Sequence, residues 1–151
     1  MPHRSSAQNL AGLVSVQDVM TKNPKVVRRD TSVQEVVATM DKFDISSVIV
    51  VEEGRPVGIV THKDILSKVL LPRIPPDALK AREIMSSPVV KIIEDASIEE
   101  AATLMAKRRI KKLIVVSGVG GDKLVGIVTS TDIVKAQPTL ITLVEKSMKT
   151  P

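Results

Sequence analysis

The sequence predicts a mixed α/β fold, built as two β-α-β-β-α repeats that pack sheet to sheet about an approximate twofold axis. Three observations predict it. Met20 and Met85, Asp30 and Asp95, Ser32 and Ser97, Met40 and Met105, and Ile45 and Ile110 are each 65 positions apart, the signature of an internal structural repeat. Past them the offset becomes 68, from Gly58 to Gly126, Thr61 to Thr129 and Asp64 to Asp132. The three extra residues fall in the turn around 117–122, where added length costs little. Finally, each half is too short to bury an adequate core alone, so the halves are expected to pack together and to form two equivalent clefts.

Residues 1–15 are small and polar and read as a loose arm. Val16 to Met20 is a short helical lead-in, Pro24 interrupts the chain, and Val26-Val27 is a brief strand. Ser32-Val33-Gln34-Glu35 fits a capping box, in which hydroxyl and carboxylate satisfy the helix's own free donors. Val33, Val36, Val37 and Met40 then recur at i, i+3, i+4 and i+7, the stripe of a helix with one buried face. Val48 to Val51 reads as a strand buried on both faces. Glu53-Gly54-Arg55 turns the chain into a returning strand, Val57 to Val60. The helix opening at Thr61 or His62 ends before Pro72.

The second half repeats this order: lead-in Ala81 to Met85, break at Pro88, strand Val90 to Ile93, capping box Ser97-Ile98-Glu99-Glu100 and stripe Ile98, Ala101, Ala102, Met105. Leu113 to Val116 and Leu124 to Val128 form the hairpin, and Thr129 opens the next helix. The expected organisation is an arm (1–15), a first repeat (16–71), a proline-rich linker (72–80), a second repeat (81–136) and a C-terminal helix or tail (137–151). In that last segment Leu140, Ile141, Val144 and Met148 share one helical face.

Composition narrows the function. Of 151 residues 43% are hydrophobic, yet there is one phenylalanine and no tyrosine or tryptophan, so the core is aliphatic. The absence of cysteine rules out disulfides and thiolate metal sites and is compatible with the cytoplasm, the expected location. No apolar run is long enough to span a bilayer. The net charge of +5 is spread along the chain, which tolerates nucleotides without indicating nucleic-acid binding.

The chemistry concentrates in one stretch that occurs twice, Gly58-Ile59-Val60-Thr61-His62-Lys63-Asp64 and Gly126-Ile127-Val128-Thr129-Ser130-Thr131-Asp132. A strand that runs straight into a helix start presents free N–H groups and a threonine hydroxyl to an anion. The aspartate one turn on can accept hydrogen bonds from a diol. Phosphate beside diol is the polar end of a nucleotide. The bland alternative is that Thr-x-x-Asp caps its own helix and binds nothing.

These two motifs, the lead-ins 16–20 and 81–85, and the strand segments 44–53 and 109–117 resemble a tandem pair of CBS domains, the Bateman module, over residues 16 to 136. The chain looks like a small stand-alone CBS-domain protein with no attached effector domain. The resemblance implies binding of AMP, ADP, ATP or S-adenosylmethionine. By position, Asp64 and Asp132 would hold ribose hydroxyls. Thr61 and Thr129, with His62, Lys63, Ser130 and Lys112, would hold phosphate. Val26, Val27, Ile45, Ser47, Val48, Lys91, Ile92, Ile110 and Leu113 would enclose the base. It also implies a disc-like homodimer that regulates an unidentified partner protein, in energy sensing or a related role. The chain departs from the family pattern at Ile49 and Ile114, where proline is common, and at Lys111 and Lys112, where smaller residues are common. Lys112 could reach a phosphate or crowd the base.

Other features read as structural. The basic run Lys107, Arg108, Arg109, Lys111 and Lys112 falls at a helix C-terminus, where cations favour the dipole, and it lacks the aromatic partners of a single-strand binding surface. His62 and His3 are the two histidines, so a zinc site within one chain is not expected. No cysteine nucleophile, close carboxylate pair, P-loop or dinucleotide fingerprint is present, so an enzyme is not expected. A ligand-free interaction module, its clefts filled by Ile45, Ile110 and Lys112, and a nucleic-acid-associated basic protein remain the alternatives.

Overall fold

Both long helices begin where the capping boxes place them. The Ser32 hydroxyl accepts from Glu35 N–H at 3.1 Å, and Ser97 Oγ accepts from Glu100 N–H at 3.0 Å while Glu100 Oε1 accepts from Ser97 N–H at 2.9 Å. They also end alike. Asp44 and Arg109, 65 positions apart, adopt left-handed backbone with φ of 52° and 56°, the conformation that closes many helices.

The computed structural model describes residues 14–118 and 121–148; most of the expected arm, residues 1–13, lies outside them. In chain order the elements are α1 (Val16–Val19), β1 (Thr21–Lys22), β2 (Val26–Arg28), α2 (Val33–Phe43), β3 (Ser47–Glu52), β4 (Arg55–Thr61) and α3 (His62–Ile65). After α3 the chain continues through a wider π turn (Leu66–Leu70), in which Leu71 N–H donates to the Leu66 carbonyl. Then come α4 (Ala81–Ile84), β5 (Lys91–Ile93), α5 (Ile98–Arg108), β6 (Lys112–Val116), β7 (Leu124–Thr129), α6 (Ser130–Ala136) and α7 (Ile141–Met148). The fold class is the mixed one the sequence predicts.

Two compact units form, and they are permuted relative to the repeats. One is continuous, Pro24–Val89; the other joins the described residues up to Asn23 with those from Val90 onward. In the continuous unit β2 pairs parallel with β3, and β3 pairs antiparallel with β4, with Ser47 opposite Thr61. In the discontinuous unit the order is β1-β7-β6-β5, with β5 parallel to β6 and Lys112 opposite Thr129.

Each lead-in therefore completes the sheet that belongs to the other repeat. Thr21 and Lys22 pair with Ile127 and Gly126, and Ser86 exchanges two backbone hydrogen bonds with Ile59. Residues 14 and 15 are bound in as well: Ile98 N–H donates to the Val14 carbonyl, and Ser15 is fully buried.

Each unit has its own aliphatic core. Val27, Val33, Val36, Met40, Val48, Val50, Val60, Val69 and Ile84 fill the continuous one. Ile98, Ala101, Ala102, Met105, Leu113, Val128 and Ile133 fill the other, joined by Leu140 and Val144 from the C-terminal segment, where α7 packs on α5. The shared face expected for Leu140, Ile141, Val144 and Met148 is corrected at Ile141, which is 46% exposed. A 3-10 turn over Pro138–Leu140 precedes α7, so the stripe is counted from Leu140 and Ile141 falls outside it. Met148's side chain lies outside the described residues.

Candidate functional site

The two motif copies fold alike. In each, the strand delivers a threonine to the N-cap and the aspartate to the third helical position. Asp64 Oδ2 accepts from Thr61 N–H at 2.9 Å and from Thr61 Oγ1 at 3.1 Å, while Thr61 Oγ1 accepts from Asp64 N–H at 3.4 Å. Asp132 Oδ2 accepts from Thr129 N–H at 2.9 Å, and Thr129 Oγ1 accepts from Asp132 N–H at 3.2 Å. The next N–H is used too: His62 donates to the Ser46 carbonyl and Ser130 to the Lys111 carbonyl. Thr-x-x-Asp is thus a working capping box in both copies, and much of the donor capacity at each helix start is spent on the fold.

The motif glycines have a packing role that sequence reasoning did not assign. A Cβ on Gly126 would lie 2.5 Å from Met20 Sδ and 2.8 Å from the Thr21 carbonyl oxygen, and one on Gly58 would lie 2.8 Å from Met85 Cγ. Glycine stands where a lead-in methionine from the other repeat crosses the strand.

The surroundings of the two carboxylates differ. Asp64 is 6% exposed. Its Oδ1 pairs with Lys68 Nζ at 3.1 Å and accepts from Ser86 Oγ at 3.4 Å, and Lys68 Nζ also donates to the Ile84 carbonyl at 2.8 Å. Sequence reasoning missed Lys68 and Ser86, although Lys68 lies at i+4 from Asp64, the spacing of a helical ion pair. Asp132 is half-buried, and among the described residues no ion pair reaches it.

The other expected site residues do not gather in one place. Ile45 and His62 come together with Val37, Met40, Ser46 and Leu66 around an open cavity of about 590 Å³. His62 and Lys63 are exposed; Thr61, Thr129, Ser47, Ile92 and Ile110 are half-buried. Val27, Val48 and Leu113 belong to the cores, and Ser130 is 3% exposed. Val26 is exposed, and Lys91 Nζ is engaged by Asp122 Oδ1 at 2.9 Å.

Burial holds the Lys112 ammonium below the ordinary lysine range, and the neighbouring Lys111 charge lowers it further. A folded pKa below the unfolded one penalises folding wherever Lys112 is charged in both states. The penalty is fully present at neutral pH and is relieved as pH rises through the folded value toward about 10.4. Lys112→Met is therefore expected to raise the melting temperature at pH 7 and to lose that advantage near pH 10. Urea unfolding of both proteins at the two pH values checks this.

With the fold and motifs in place, comparison with known proteins is decisive. The model of the CBS domain matches residues 16–71 and 81–139. The chain belongs to the CBS-domain family. An uncharacterized protein of Methanopyrus kandleri is 39% identical over 139 residues, which span 91% of this CBS pair and 67% of that protein. A CBS-domain protein of unknown function from Thermoplasma acidophilum has a similar crystal structure, with a TM-score of 0.80 at 25% identity, covering 91% of this chain and 78% of that one. CBSX2, crystallised in complex with AMP, shares the fold with a TM-score of 0.68 at 24% identity, covering 84% and 98%. The CBS pair is a regulatory module. Among the described residues no helix is long and apolar enough to cross a membrane, and no group of three or more His, Asp or Glu side chains could hold a metal ion.

Proposed function

We propose that this CBS pair senses an adenosine compound (AMP, ADP, ATP or S-adenosylmethionine) and passes its occupancy to a partner protein in the cytoplasm without catalysing a reaction. The observation that carries the reading is the strand-to-helix junction that both motifs build alike, with a threonine at the N-cap and an aspartate one turn on. Beside the first of them Ile45, Ser46, His62 and Leu66 line a cavity of about 590 Å³, within the range of small-molecule sites, about 300–1,000 Å³. The motif aspartates, Asp64 and Asp132, are the candidate diol acceptors, and Thr61, Thr129, His62, Lys63 and Lys112 are the candidates for the phosphate side. CBSX2 shows the same fold in complex with AMP. Binding that favours one conformation over another is all that signalling requires.

The pair acts as a homodimer in this reading. Leu66, Leu70 and Leu71 are 59%, 57% and 81% exposed around the π turn, an apolar surface suited to a second copy.

A thermal-shift titration with the four compounds at fixed salt tests the function. A ligand at a hundred times its Kd stabilises the native state by about 2.7 kcal/mol, which raises the melting temperature of a chain this size by roughly 5–10 °C. A dose-dependent rise for one compound identifies the ligand class. A flat response to all four favours the second reading, a ligand-free interaction module, which draws on the mutual saturation of Thr61 and Asp64.

A further inference from the structure

We infer that the two motif carboxylates are unequal, and that Lys68 keeps Asp64 closed to ligand while Asp132 is the receptive site. This inference rests on the nucleotide-sensing reading above. A carboxylate offers about four acceptor positions. Asp64 has filled its own: Thr61 N–H and Oγ1 donate to Oδ2, and Lys68 Nζ and Ser86 Oγ reach Oδ1. Lys68 is held from the far side too, because its ammonium donates to the Ile84 carbonyl at 2.8 Å. A ribose diol would bring two donors to the same carboxylate but no opposite charge. A diol that displaced Lys68 would break the ion pair and strip the ammonium of its carboxylate partner.

The second motif lacks this lock. Asp132 stands at Asp64 plus 68, and the same offset takes Lys68 to Ala136, which has no donor to offer. Asp132 keeps its bond from Thr129 N–H, and among the described residues no ammonium pairs with it. The cation arrives instead on the phosphate side. Lys112 lies directly opposite Thr129 in strand register, where the other unit has Ser47 opposite Thr61. One repeat thus spends its lysine on its own carboxylate; the other sets it beside the threonine.

Isothermal titration calorimetry with AMP, ATP and S-adenosylmethionine in turn separates the possibilities, with circular-dichroism melts confirming that each variant is folded. Wild type is expected to bind one equivalent per chain, and Asp132→Ala to weaken it at least tenfold. Lys68→Met should add a second equivalent that disappears again in the Lys68→Met, Asp64→Ala double variant. Transplanting the lock with Ala136→Lys, at an exposed position, should weaken the wild-type site at least tenfold. Two equal sites in wild type, or binding lost with Asp64→Ala and kept with Asp132→Ala, would overturn the inference and leave nucleotide sensing standing. Binding by neither wild type nor Lys68→Met would overturn both.

Discussion

Gly126→Ala is expected to destabilise the protein by about 1–3 kcal/mol, the usual cost of forcing an extra methyl into a filled space, lowering its melting temperature by several degrees. The added Cβ meets Met20 Sδ and, at 2.8 Å, the Thr21 carbonyl oxygen. A thioether can swing aside; a carbonyl held in the β1–β7 ladder cannot without breaking that pairing. Gly58→Ala should cost less, because its nearest obstacles are side-chain atoms of Met85. A double-mutant cycle makes the distinction measurable. Met85→Ala should rescue part of the Gly58→Ala loss, giving non-additivity above 0.5 kcal/mol, whereas Met20→Ala should rescue Gly126→Ala far less. Equal rescue at both glycines would show that the carbonyl is not the obstacle.

Val144→Asp is expected to be more damaging, by about 3–5 kcal/mol, the penalty of a buried charge without a partner. Val144 is fully buried against the core that contains Met105, Ile133 and Leu140. With about 2–4 °C lost per kcal/mol in a domain of this size, the melting temperature should fall by about 10 °C. Ile141→Asp, one turn earlier on the exposed side, should leave it nearly unchanged. A small effect at Val144 would mean that α7 is an appendage and not part of the unit.

Much of this fold is legible in the sequence because local signals are strong. Ser32 and Ser97 start their helices as their capping boxes require, and the stripes led by Val33 and Ile98 end in the cores. The two motifs sit at strand-to-helix junctions because glycine, β-branched residues and Thr-x-x-Asp carry those instructions within seven positions. The partner of each lead-in is not legible. Periodicity shows that Met20 and Met85 are alike, not that each packs against the other repeat's glycine, since tertiary contact leaves no trace in spacing. The inequality of Asp64 and Asp132 is half legible: the i, i+4 spacing of Lys68 was there to read, but the Ile84 carbonyl that fixes the lysine comes from a distant segment.

The exchanged lead-ins also set an order of assembly during synthesis. Residues 24–89 form an uninterrupted compact unit, so all its strands are synthesised before β5. α1 finds its backbone partners at residues 94–98, but the strand partner of β1, β7, follows about a hundred residues after it. At roughly 5–20 residues per second, Met20 waits on the order of five to twenty seconds for Gly126. During that interval the edge of β1 has no strand to pair with.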